Sequence, residues 1–309
     1  MKKNILSLLL LFATLLTHSQ DLYINVFGDS KNQPLIFLHG GPGYNCANFE
    51  GTTAQQLANK GFYVIVYDRR GEGRSKDVPA MYTFQETIND LVAIYQKYNL
   101  KKATLVGHSF GGVVGTFFAE KHPEKVQSLI LVGAPVALQE TFATIITSSK
   151  ALYQAKNDSV NLRYIALLEN MNKSSLEYSS YCFMHAMQNG FYSPQQPSEE
   201  AKNIYATFRT DTALAQYAGQ MSYEAPQGFW KNEKYTTLDL TDKLKSLRRK
   251  KVPIFGLYGK EDGLYSEEQV AKLQKLIGKK NVYYLDHCSH NVFADQQTLF
   301  IQAVENWAK

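Results

Sequence analysis

The chain has 309 residues, 44% hydrophobic and 20% charged, with a formal charge of +5 from 33 basic and 28 acidic side chains. That composition excludes collagen, a coiled coil and wholesale disorder, and it suffices for a sizeable buried core. The one dense basic run, Arg248-Arg249-Lys250-Lys251, is short and reads as a solvated helix end, so nucleic-acid binding finds little support.

Residues 1–20 open with Met-Lys-Lys, continue through an almost wholly apolar run from Ile5 to Leu16, and end in the polar Thr17-His18-Ser19-Gln20. A cationic start, a short apolar core and a polar tail form the pattern of a secretory signal peptide, and the run falls short of the roughly 20 apolar residues that span a bilayer. The expectation is an exported protein, periplasmic or secreted, with no stable membrane span once the leader is removed; an uncleaved anchor is the alternative. Three cysteines follow, Cys46, Cys182 and Cys288. An odd number permits at most one intramolecular pair and excludes a disulfide scaffold.

In chain order, Asp21 to Phe27 reads as an antiparallel edge strand. Short apolar runs follow at 35–38, 62–67, 103–106, 127–132, 253–258 and 282–285, with helical patterns at 84–98, 110–121, 266–278 and 293–307. Strands alternating with helices predict an α/β fold around a mostly parallel sheet. The alternation stops after Val132. Residues 135–247 carry helical patterns rich in aromatics, among them Tyr153, Tyr164, Tyr178, Tyr181, Phe183, Phe191, Tyr192, Tyr205, Phe208, Tyr217, Phe229 and Trp230. The predicted organisation is a leader over 1–20, a core over 21–134 and 248–309, and a helical cap over 135–247.

Gly107-His108-Ser109-Phe110-Gly111 lies directly after the strand 103–106 and opens the helix near 110. Gly-x-Ser-x-Gly in a strand–turn–helix context holds the serine in a strained turn, with its hydroxyl at a helix N-terminus. Ser109 is therefore the candidate nucleophile. Its base should be a histidine from the loop after the last strand. His290 is preferred there because it lies farther from the strand, with His287 the competitor. Asp262, after the strand 253–258, is the candidate partner of the base, with Glu261 and Asp286 as weaker choices. Cys288 is weighed as a nucleophile and set aside, because the serine context is far more specific. The oxyanion donors expected are the backbone N–H groups of Phe110, next to the nucleophile, and of Gly41 in the glycine loop His39-Gly40-Gly41-Pro42-Gly43.

These segments together resemble an α/β-hydrolase: His-Gly-Gly-Pro-Gly at 39–43, Asp68-Arg69-Arg70-Gly71-Glu72-Gly73-Arg74-Ser75, the Gly-His-Ser-Phe-Gly-Gly elbow at 107–112, Gly-x-x-Asp ending at 262, and Ser289-His290. The nearest branch is the proline iminopeptidases. The resemblance implies the order Ser109, Asp262, His290 as catalytic triad, an oxyanion hole at the first motif, and neither a metal nor an organic cofactor. It also implies an acyl-enzyme reaction on a small-molecule or short-peptide substrate.

The chain departs from that pattern in Arg69, where Gln is usual, and in Phe110, where Trp is common. Segment 68–75 is read as a packed turn bordering the site. In that branch cap carboxylates hold the substrate's free α-amine; the cap acids here, Glu169, Glu177, Glu199, Glu200 and Glu224, are read as solvated surface groups, and a carboxylesterase on small esters is the alternative. A non-catalytic ligand receptor on the same fold is the remote one. Substrate-binding side chains are expected among the cap aromatics.

Overall fold

The computed structural model describes residues 21–308; the leader expected over 1–20 lies outside the described residues. Seven strands form one sheet: β1 (Ile24–Phe27), β2 (Gln33–Leu38), β3 (Phe62–Tyr67), β4 (Ala103–His108), β5 (Val126–Val132), β6 (Ile254–Gly259) and β7 (Val282–Leu285), in the order β1-β3-β2-β4-β5-β6-β7. β1 runs antiparallel to β3, and every other neighbouring pair is parallel.

The strands read as near-continuous apolar runs because both faces of the sheet are covered. Their alternate residues divide between two cores. Ile36, Leu38, Ile65, Leu105 and Leu129 pack on one face, against the helices Phe84–Lys97, Phe110–Lys121 and Glu267–Ile277. Leu35, Phe37, Val64, Val66, Val106 and Ile130 pack on the other, with Phe49, Leu57, Phe300 and Val304 from the segments before β3 and at the chain's C-terminal end.

Two features differ from the sequence expectation. The helix predicted over 293–307 is two helices, Val292–Asp295 and Gln297–Ala308, interrupted where Gln296 leaves helical geometry at φ −137° and ψ 56°. At the break Asp295 turns fully inward and Gln296 Nε2 donates to the carbonyls of Asp286 and His287, so local polar bonds override helix propensity. Between β2 and β3, residues 47–59 are helical with a π-helical turn over Glu50–Ala54. Gly51 and the Thr52-Thr53 pair hide that stretch from a pattern reading.

After β5 the insertion carries six helices, Leu138–Ala155, Ser159–Glu169, Leu176–Gln188, Glu199–Thr210, Thr212–Tyr217 and Glu224–Glu233. The two ends of this insertion are tied together, with Leu138 N donating to Leu238 O at 2.9 Å and Leu240 N to Val136 O at 2.7 Å. The next helix, Thr241–Arg249, which spans the predicted boundary at 247, packs on the helices Phe110–Lys121 and Glu267–Ile277.

The turn from β4 into its helix positions the site. Ser109 sits at φ 52° and ψ −124°, which side-chain-bearing residues rarely adopt. The turn closes only because its neighbours lack side chains: a Cβ on Gly111 would lie 1.9 Å from Leu38 O. Gly111→Ala is therefore expected to cost about 3 kcal/mol of stability, read from urea denaturation, since strand β2 must shift to admit the methyl group.

Candidate active site

β4 ends at the turn carrying Ser109, whose N–H donates to Val132 O at the end of β5, 2.9 Å away. The next residue, Gly133, passes directly beneath the base: a Cβ there would lie 3.2 Å from His290 Nδ1 and 3.5 Å from Asp262 Oδ2. Ser109, Asp262 and His290, far apart in sequence, thus converge on the Val132–Gly133 backbone at the carboxyl edge of the sheet, where open α/β sheets place their ligands. His290 Nδ1 and Asp262 Oδ2 are 2.8 Å apart and both side chains are buried. Asp262 Oδ1 also accepts from Leu264 N at 3.0 Å, which fixes the carboxylate. With Nδ1 held by Asp262, Nε2 is the His290 nitrogen left for proton transfer. The half-buried Ser109 hydroxyl makes no hydrogen bond to His290 in this structure; such contacts often tighten only in a substrate complex.

The competing assignments separate on geometry. His287 is exposed and lies 3.7 Å from Glu261, and Glu261 itself accepts from Gln195 N at 2.6 Å. Asp286 pairs with Lys260. His108 stays beneath the site, its Nε2 3.2 Å from His290 O, and burial together with the nearby His290 ring depresses its basicity. Cys288 is fully buried, and desolvation, followed by the charges of Asp295, Asp262 and Glu261, pushes its thiol far above the ordinary range. Burial and a protonated thiol both disfavour it as a nucleophile. Cys46 and Cys182 are likewise buried free thiols, so no pair of the three is joined.

The two expected oxyanion donors lie on either side of the serine. Phe110 is the first residue of its helix, where backbone N–H groups have no intrahelical acceptor and the dipole favours negative charge. Across from it runs the glycine loop, in which a Cβ on Gly40 would lie 3.1 Å from Ser109 Cβ. Gly41 has φ 111°, and its peptide bond to Pro42 is cis.

Residues 191–195 of the insertion lie over His290 and the segment 261–263. Tyr192 meets the His290 ring edge-on at 5.1 Å, Asn291 Nδ2 donates to Tyr192 O at 3.2 Å, and the Phe191 ring packs on Gly263. Beneath, Tyr265 lies nearly parallel to His290 at 6.1 Å and donates to Gly133 O at 2.8 Å. Phe229 packs edge-on against Phe110 at 5.1 Å. Of the aromatics singled out in the sequence, Tyr192 and Phe229 thus touch site residues. Phe183 and Tyr178 instead flank Phe142 within the insertion, and Tyr164 and Tyr181 are exposed. A cavity of about 330 Å³ bounded by Ala134, Val136, Tyr258, Tyr265 and Leu273 is lined by none of the three converging side chains.

Two supports were not legible in the sequence. Asp295 accepts from both the N–H and the hydroxyl of Ser289, at 2.8 and 2.7 Å, and so braces the residue before His290; Tyr205 of the insertion also donates to it. The other is the Arg69–Glu72 pair under the glycine loop. Both carboxylates face inward, a signal that spacing alone does not carry.

Burial raises the Asp295 carboxyl above its ordinary range, so the folded chain holds that proton more tightly than the unfolded chain. Stability from this group is full below the unfolded carboxyl's pKa and is lost as pH rises through the raised one. In Asp295→Asn that loss disappears. Melting temperatures followed from about pH 4 to about pH 7 should shift in the variant's favour as pH increases.

The chain matches the family model for the alpha/beta hydrolase fold over residues 33–297. A proline iminopeptidase of Lactobacillus helveticus is 26% identical over 304 residues, covering 92% of this chain and 93% of that protein. Among solved structures, a proline iminopeptidase-related protein of Thermus thermophilus superposes with a TM-score of 0.63 at 23% identity, covering 92% of each chain. An esterase of Exiguobacterium antarcticum gives 0.60 at 20% identity, covering 93% of this chain and 94% of its own. With the sheet order, the elbow turn and the family match in agreement, this chain belongs to the α/β-hydrolase fold family.

Proposed function

We propose that this protein is an exported serine hydrolase that cleaves acyl bonds through an acyl-enzyme, with iminopeptidase-like release of N-terminal residues from short peptides as its sharpest form. The observation that carries the reading is the buried 2.8 Å contact between Asp262 and His290, on the same backbone edge as the strained Ser109.

In this reading Ser109 Oγ attacks the substrate carbonyl carbon while His290 Nε2 takes its proton. Asp262 keeps the other nitrogen protonated, aims the ring, and stabilises the imidazolium that forms. The N–H groups of Gly41 and Phe110 hold the developing oxyanion, each worth about 3 kcal/mol in the transition state. His290 then protonates the leaving group, and water hydrolyses the ester on Ser109 by the same route. Tyr192, edge-on to the base, and Phe229, against Phe110, would border the acyl or prolyl ring and exclude water.

The peptidase form is supported by similarity to proline iminopeptidases along almost the whole chain. A second reading, a carboxylesterase on small esters, has its own observation. Recognition of a free α-amine asks for a poised carboxylate, and no carboxylate of the insertion is buried. Glu169 pairs with Lys150, Glu199 with Lys202, Glu200 bonds Thr298, and Glu177 and Glu224 are exposed.

A fluorophosphonate probe is expected to label wild-type protein and to leave Ser109→Ala unlabelled. Folded wild type that takes no label would favour a ligand receptor. Assayed side by side, prolyl-naphthylamide turnover supports the peptidase, whereas turnover of p-nitrophenyl acetate with no cleavage of any free-amine substrate establishes the esterase.

A further inference from the structure

We propose that the buried Arg69–Glu72 ion pair is a positioning device that aims the Gly41 N–H into the oxyanion hole; the inference rests on the Ser109 chemistry above. Both side chains are almost completely inaccessible, at 3% and 0% exposure. Arg69 Nε donates to Glu72 Oε1 and Nη2 to Glu72 Oε2, each at 2.9 Å. The guanidinium spends its remaining reach on the glycine loop: Nη1 donates to His39 O, and Nη2 donates to Gly40 O at 2.6 Å. Glu72 Oε2 accepts from Gly43 N at 2.6 Å. One ion pair therefore grips the loop 39–43 at three backbone positions.

The consequence follows from peptide geometry. The bond between Gly40 and Gly41 is trans, so its C=O and N–H point in opposite directions. The Gly40 carbonyl is held by two donors, Arg69 Nη2 and, at 2.9 Å, His39 Nδ1. His39 is fixed in that tautomer because its Nε2 accepts from Arg69 N at 3.0 Å. Pinning the carbonyl toward the guanidinium turns the Gly41 N–H away from it, and among the described residues no acceptor meets that N–H. The same guanidinium lies 5.3 Å from the Phe110 ring, whose backbone supplies the second donor. Arg69 thus touches both walls of the oxyanion hole without being able to contact substrate itself.

A buried ion pair adds little net stability over neutral residues of similar size. Loss of function from neutralising it would therefore report on geometry. Arg69→Met alone strands the Glu72 charge, so the test uses Arg69→Met/Glu72→Gln, which leaves no buried charge unpaired. Arg69→Lys keeps the charge balance but loses the fork that holds two carbonyls and a carboxylate together.

For each variant, active serines are first counted by stoichiometric fluorophosphonate labelling. On whichever substrate wild type turns over, kcat per labelled serine is expected to fall about 10- to 100-fold in the double variant with KM nearly unchanged, and by less in Arg69→Lys. Affinity for a boronic acid, which binds Ser109 as a tetrahedral anion, should fall by the same factor. Wild-type kcat per labelled serine and wild-type boronic-acid affinity in either folded variant would overturn the positioning role while leaving the Ser109 reading intact. Failure of wild type to label overturns both.

Discussion

The structure turns on one constrained residue. Ser109 occupies a backbone conformation that its own side chain disfavours, and the sheet holds it there by bonding its N–H to the end of β5. That turn ends β4 and starts the helix behind it, which brings a hydroxyl and an unpaired N–H to the same edge of the sheet. Strain of this kind persists only where the surroundings over-determine it. Here they do so through missing side chains, since a Cβ on Gly107 would meet Gly112 Cα at 2.6 Å and one on Gly111 would strike β2. The parallel order of β2, β4, β5 and β6 then delivers the glycine loop, Ser109, Gly133 and Asp262 to neighbouring strand ends.

Around that edge, charge is managed by burial. His39 and His108 are both driven well below the usual imidazole range, chiefly by desolvation, and remain neutral hydrogen-bonding struts. His290 differs in having a carboxylate against Nδ1. Every buried carboxylate among the described residues belongs to the core, namely Asp68, Glu72, Asp90, Asp262 and Asp295. Each is already engaged: Asp68 by Arg74, Glu72 by Arg69, Asp90 by Arg70, Asp262 by His290 and Asp295 by Ser289 and Tyr205. An isolated buried charge is costly, and four of the five have a basic partner; Asp295, held only by neutral donors, is the one whose carboxyl burial raises.

What could be read from sequence was what local pattern encodes. The β3 and β7 boundaries and the helix 110–121 are found where periodicity predicts them, and the glycine elbow, the residue before its helix and the acid after β6 carry compact signals. Distance from the strand end favours His290 over His287 in the sequence, and the structure places His290 at Asp262 with His287 out in solvent. Less legible were features that depend on packing between distant segments. Arg69 and Glu72 stand three apart in a glycine-rich turn, where a charged pair usually faces water; only the loop at 39–43 closing over them makes them a buried clamp. Asp295 sits in what reads as an unbroken helix, and its inward turn toward Ser289 breaks it. Within residues 47–59, Gly51 and the β-branched pair Thr52-Thr53 interrupt the pattern that would otherwise show helical geometry.

The antiparallel bonds between Val136–Leu138 and Leu238–Leu240 have a consequence for how such molecules diversify. Because departure and return of the chain are adjacent, the roughly one hundred intervening residues form a closed excursion whose length scarcely alters the entropy of joining its ends. The excursion can be lengthened, shortened or exchanged without moving a strand. Changes within it would alter what borders the carboxyl edge of the sheet while Ser109, Asp262 and His290 keep their places. Proteins sharing this scaffold yet named for different substrates are what such a modular graft produces.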